Sequence, residues 1–176
     1  LLVVITIIAI LAGLSVPVGS KVIQAAKKAQ ANQQMSNLIT AIKGYQLEYG
    51  HIPLGMGVTE TVPLVTDGAG ASSGVDLMMC LIDGSGIDFA NPRQISFFEP
   101  KYTDSRRGGW DDTTGTEGLF DPWGNPFEII MDVDFDKFID ASVLDTNSMN
   151  VRKDVIIRSL GPVSYTHLTL PTSVIV

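Results

Sequence analysis

The first twenty positions, Leu1 to Ser20, hold no charged side chain, and their polar members are only Thr6, Ser15 and Ser20. A soluble core helix carries a polar stripe along one side, and none exists over Leu1 to Leu14. About 20 helical residues, each rising roughly 1.5 Å, span the roughly 30 Å hydrocarbon layer of a bilayer. The pattern predicts a membrane helix over residues 1–20. A secretory signal peptide is the rival reading, but it needs a basic stretch before the apolar run and a small-residue cleavage site after it. Here the chain continues instead into helix formers. Pro17 lies inside the run, where lipid tolerates it as a kink.

From Lys21 to Tyr49 proline is absent, and Ala, Gln, Lys, Leu, Ile and Met dominate. Met35, Leu38, Ile42, Tyr45 and Tyr49 recur at helical spacing and form one apolar stripe. Gly50 suits a helix C-cap, and Pro53 stops any continuation. One helix from Leu1 to about Tyr49 is the economical reading, without a polar face in its first half and needing a partner along one side in its second. Ala25 to Gln34 is rich in alanine and glutamine, which fits either close helix approach or a solvated face. The stripe is too short for a coiled coil.

After Gly50 the texture changes to glycine, proline, aspartate and threonine with short apolar runs. A second helix is predicted over Val75 to Ile82, with Ser73 and Asp76 at capping-box spacing and Cys80 as buried filler. Ile95 to Phe98 reads as a short strand and Arg106 to Gly118 as a loop. Phe127 to Met131 and Val155 to Arg158 are clearer strands, with a third expected around Phe138 to Val143. An antiparallel sheet packed on the amphipathic half of the helix would bury Leu38, Ile42 and Tyr45, an α+β arrangement.

Composition narrows the field. With 176 residues, 45% hydrophobic and 18% charged, the chain allows one domain plus an appendage and excludes disorder as its main description. The single cysteine, Cys80, cannot form an intramolecular disulfide, and with His51 and His167 it cannot fill the usual zinc sites. Residues 1–49 carry four lysines against one glutamate, whereas residues 50–176 carry eight bases against eighteen acids. A basic stalk precedes an acidic body, which lacks the electropositive face that binding nucleic acid requires.

Asp132, Asp134 and Asp136 alternate, with Asp140 and Asp145 beyond, and carboxylates so spaced suit a hard cation such as calcium. The run begins like an EF-hand loop and then departs from it, with Lys137 where glycine belongs and Val143 where a bidentate glutamate belongs. A solvated acidic turn between strands is the competing reading, and the residues alone favour it. In DPWGNPF (Asp121 to Phe127) the prolines fix φ, Gly124 and Asn125 accept left-handed conformations and Trp123 can bury its ring over the sheet, which makes an architectural turn. Catalysis has little to stand on. His51 reads as a turn residue, no pair of carboxylates stands out, and the nucleophile-elbow, P-loop and HExxH patterns are absent.

The apolar start LLVVITIIAILAGLSVPV (Leu1 to Val18), the DPWGNPF segment and IIRSLGP (Ile156 to Pro162) occur in the order expected of type IV pilin-like proteins, and the chain closely resembles the major pseudopilin of type II secretion systems. Pro17 matches that family's helix-kinking proline, and NPR with the following apolar and aromatic run (Asn91 to Phe98) resembles long-loop pilin-like proteins. The resemblance implies a pilin-like α+β fold: residues 1–20 as the membrane and filament-core half of the helix, 21–49 as its amphipathic half, and 50–162 as the head. It implies a structural subunit and no enzyme. Such a prepilin is cleaved and N-terminally methylated, sits in the bacterial inner membrane with one span and a periplasmic head, and then enters a pseudopilus acting in protein export. Its partners are copies of itself, other pseudopilins and inner-membrane components of the secretion system.

In that family the cleavage site, the methylated phenylalanine and an assembly glutamate stand before the apolar run, so here they are expected upstream of Leu1. Lys21, Lys27 and Lys28 alone would place the following segment in the cytoplasm, and a basic leader reverses that orientation. The family continues SLGP with aspartate and glycine, whereas this chain has Val163 and then SYTHLTLPT. Residues 163–176 are therefore expected to be foreign to the fold. The resemblance also implies a calcium site in this C-terminal region, at Asp132, Asp134, Asp136 and Asp140. The alternatives are a minor pilin of a type IV pilus, or a periplasmic enzyme or binding domain that uses the helix as a tether.

Overall fold

The computed structural model describes residues 1–53, 58–68, 74–85, 91–113, 115–140, 142, 150–162 and 174–175; of residues 9–20 and 174–175 it describes the backbone path alone. One helix, α1 (Leu2–Tyr49), runs unbroken through Pro17. It ends as the sequence predicts. Gly50 takes φ 77 and donates its N–H to Gln46 O at 2.8 Å, a left-handed cap that glycine adopts at no steric cost.

The head is built on a four-stranded antiparallel sheet in the order β1 (Leu64–Val65), β4 (Phe127–Met131), β7 (Val155–Ser159) and β8 (Val174–Ile175). Its backbone is the β4–β7 ladder, in which Ile129 faces Ile157 and Ile130 faces Ile156. Because neighbours along a strand point to opposite faces, Phe127, Ile129, Met131, Val155 and Ile157 share one face, and Ile130 and Ile156 the other. The first face packs under α1 and α2 (Gly74–Ile82), joining Met35, Leu38, Ala41, Ile42 and Tyr45 to Leu77, Met78, Cys80 and Leu81 in one buried core. The second face is covered by a hairpin of β5 (Ile139–Asp140) and β6 (Asn150–Val151), where Ile139 meets Ile130 and Ile156. Covering on both sides explains why β4 and β7 are nearly continuous apolar runs. Their one charged pair, Glu128 and Arg158, sits directly cross-strand and closes an ion pair, with Arg158 Nε donating to Glu128 Oε2 at 2.7 Å.

The α+β expectation and the buried helix stripe agree with this architecture, while several local readings need correction. The predicted strand over Ile95 to Phe98 is extended chain without a ladder. The N–H groups of Phe97 and Phe98 both go to Leu81 O at the end of α2, and Asn91 takes the polar groups of Ile95. The predicted loop over Arg106 to Gly118 contains β2 (Gly109–Asp111), which pairs with β3 (Gly118–Phe120). The third strand is the short β5, which pairs with β6 outside the main sheet; Val143 lies outside the described residues, as does the capping Ser73. Within residues 163–176, expected from the resemblance to be foreign to the fold, Val174 and Ile175 pair with Ser159 and Arg158, and residues 163–173 and 176 lie outside the described residues.

Thr66 ties the two sheets together. Fully buried, it donates its hydroxyl to Leu119 O at 2.7 Å and accepts the Phe127 N–H at 2.9 Å. The start of α2 comes so close to β1 that a Cβ on Gly74 would lie 2.3 Å from Val65 O. Only glycine fits there.

Candidate functional site

Asp132 directly follows β4, and its N–H extends the ladder to Asp154 O at 3.0 Å. That position keeps the carboxylate inside the protein, 3% exposed. One oxygen, Oδ2, accepts the Lys137 N–H at 2.9 Å, while Oδ1 has no hydrogen-bond partner among the described residues. A buried carboxylate oxygen left bare is costly, so this atom calls for a cation or a donor. Glu60, from the segment before β1, reaches the same place, and its Oε1 accepts the N–H groups of Val133 at 2.7 Å and Asp134 at 3.3 Å.

Carboxylate oxygens of Glu60, Asp132 and Asp134 all lie within 4.8 Å of one another. Two oxygens bound to one calcium at about 2.4 Å can be at most about 4.8 Å apart, so the three fit around a single hard cation, and an all-oxygen donor set favours calcium over softer metals. The turn itself is tightly wound. Phe135 and Lys137 hold φ 62 and φ 68, so Lys137 adopts the left-handed conformation that glycine supplies in an EF-hand loop.

Of the four aspartates nominated from sequence, Asp132 and Asp134 enter this group. Asp136 instead accepts the Phe138 N–H at 2.7 Å, and Asp140 the Ser142 N–H at 3.0 Å; hydrogen bonding to the Ser142 side chain first, and to its backbone N–H second, lowers the Asp140 pKa. Glu60 was missed by sequence reasoning. It is one acid among threonines far upstream, and only the pairing of β1 with β4 brings it to the loop.

The DPWGNPF turn is held by its first residue. Asp121 is fully buried; Oδ1 accepts the N–H groups of Trp123, Gly124 and Asn125 at 2.8 to 2.9 Å, and Oδ2 accepts the Ser159 hydroxyl at 2.7 Å. Asn125 then donates to Gly161 O at 2.8 Å, which fastens DPWGNPF to the SLGP segment. The architectural reading of this turn agrees with that network. Trp123 differs from expectation, since its ring is half-buried and its indole N–H reaches Gln24 of α1 at 3.2 Å and not the sheet.

The surface of α1 divides sharply. Met35, Leu38 and Ile42 are 0% exposed, whereas Ile5 is 57% and Ile8 60% exposed, and Val22 and Ile23 are also open. Among the described residues no helix is long and apolar enough to cross a membrane, and the side chains of residues 9–20, within the span predicted over residues 1–20, lie outside them. Cys80 is fully buried beneath the docked half, and desolvation pushes its thiol pKa up to about 11, which makes it a poor nucleophile. His51 lies at the helix end, its ring edge-on to Tyr45 with centroids 5.8 Å apart.

A scan against protein-family models found no match, and searches of curated proteins and of solved structures found none.

Proposed function

We propose that the chain is a structural subunit of a type II secretion pseudopilus. Its apolar N-terminal helix would assemble with copies of itself into a filament that acts in protein export. One observation carries this reading. A single helix is committed to its own head from Ala31 onward and exposes large apolar side chains at its start. A tether needs no such rigid continuity, whereas a filament subunit uses it to transmit force from an apolar core to an outer head. Hydrophobic burial and close packing between helices would drive assembly.

The sequence resemblance in DPWGNPF and SLGP directs the reading to the secretion pseudopilus over the type IV pilus. Calcium belongs to the proposal as a structural ion: held by Glu60, Asp132 and Asp134, it would neutralise the bare Asp132 oxygen and clamp the segment before β1 to the turn after β4. The experiment is expression of the full chain behind its native leader in a bacterium with a working type II secretion system, followed by shearing, sedimentation and electron microscopy. Sedimenting filaments that contain the chain are expected. Single anchored molecules in cells whose own pseudopilus assembles normally would overturn the proposal and favour the tethered-domain reading.

A further inference from the structure

One cleft of the acidic head is lined mainly by bases. A cleft of about 530 Å³ opens beside α1 and the start of β7, lined by Lys43, Lys137, Arg152 and Lys153 against the single acid Asp154. Three of the head's eight bases meet there. Three others, Arg93, Arg106 and Arg158, are engaged in ion pairs with Glu48, Asp67 and Glu128. A second cleft, of about 250 Å³, lies by the end of α2 and carries Asp83, Asp112 and Glu117 with no base in its lining. The two occupy different flanks. α2 packs on β1, at one side of the sheet, and the basic cleft adjoins β7, two strands across.

We infer that these clefts are the two halves of one head-to-tail contact, in which the basic cleft of one copy receives the acidic rim of the next. The occupant is a second copy of this chain, and the argument is charge complementarity combined with placement. Two different patches that match each other make a heterologous interface, and repeating it yields a ring or a helical filament, whereas a patch that matches itself stops at a dimer. Opposite charge across such a contact fixes register and suppresses wrong pairings more than it adds affinity. The apolar helices would then supply cohesion, and the clefts would set the rotation from one subunit to the next. This inference rests on the filament reading and adds a specific contact to it.

Lys153 and Asp112 are both exposed, which makes them suited to test it. In filaments of the full chain made from mixed isotope-labelled and unlabelled protein, a zero-length carbodiimide cross-linker should join lysines of the basic cleft to Asp83, Asp112 or Glu117 of another copy. Lys153→Glu and Asp112→Lys should each reduce filament yield at least tenfold, and the double variant should restore it, a rescue that a folding defect would not give. Normal filaments with neither the cross-link nor sensitivity to Lys153→Glu would overturn the inference and leave the filament reading standing. Absence of any filament would overturn both. Loss of binding to anionic vesicles in Lys153→Glu, with filament yield unchanged, would assign the cleft to a membrane surface and overturn it as well.

Discussion

Large apolar side chains on the two halves of α1 meet opposite fates. Leu38 and Ile42 lie fully buried against β4, β7 and α2, while Ile5 and Ile8, on the same continuous helix, touch nothing that hides them. Both stretches are helical, so the difference comes from partners and not from local structure. Burying a Leu or Ile side chain contributes about 1.5–3 kcal/mol. The docked half gains this within the chain; the open half can gain it only from lipid or from another copy.

Paired substitutions test that contrast most strongly. Phe127→Ala, beneath the helix, should cost about 3–5 kcal/mol and Leu38→Ala about 2–5 kcal/mol in urea denaturation of the detergent-solubilised chain. Ile8→Ala in the open half should stay within about 0.5 kcal/mol. Similar losses at Leu38 and Ile8 would erase the distinction between the halves.

Calcium should strengthen the head alone. Saturating calcium at about 100 times its dissociation constant adds about 2.7 kcal/mol, enough to raise the thermal midpoint by several degrees relative to a chelator. Glu60→Gln and Asp132→Asn should abolish the shift, and Asp136→Asn should leave it, because Asp136 serves the Phe138 N–H and lies outside the three-carboxylate group. Equal effects at all three positions would point to a diffuse acidic patch.

Alkali should loosen the docked half through Cys80. The folded thiol keeps its proton up to about pH 11, while the unfolded thiol loses it near 9. Above the unfolded value the unfolded chain therefore binds fewer protons than the folded one, and stability falls as pH rises, by on the order of 2 kcal/mol before it levels off. Cys80→Ala should flatten the profile between about pH 9 and 10, below the range in which burial of Tyr45, pushed up to about 12, adds a slope of its own, at the cost of a small cavity. Smallest of all, Phe135→Gly should stabilise the head by about 0.5–1 kcal/mol, because Phe135 is exposed and holds φ 62.

Much of this architecture was legible in the chain, and for physical reasons. The stripe of Met35, Leu38, Ile42 and Tyr45, the Gly50 cap, and the strands over Phe127 to Met131 and Val155 to Arg158 are fixed by periodicity and residue type within a short window. What escaped depends on distant partners. β2 and β3 are three residues each and become strands only by pairing with each other, and Ile95 to Phe98 is apolar enough for a strand but gives the N–H groups of Phe97 and Phe98 to Leu81 O and that of Ile95 to Asn91. The metal-ligand candidates divide the same way. Asp132 and Asp134 stand out by spacing, while Glu60 joins them only through the β1–β4 pairing.

The most direct test places a photo-reactive side chain at Ile8 of the full chain, in cells whose secretion machinery is running, and identifies what it captures on illumination. The account predicts covalent adducts between two copies, mapped to the apolar half of α1 and lost when the machinery is switched off. Capture of lipid alone, with the machinery active, would contradict it.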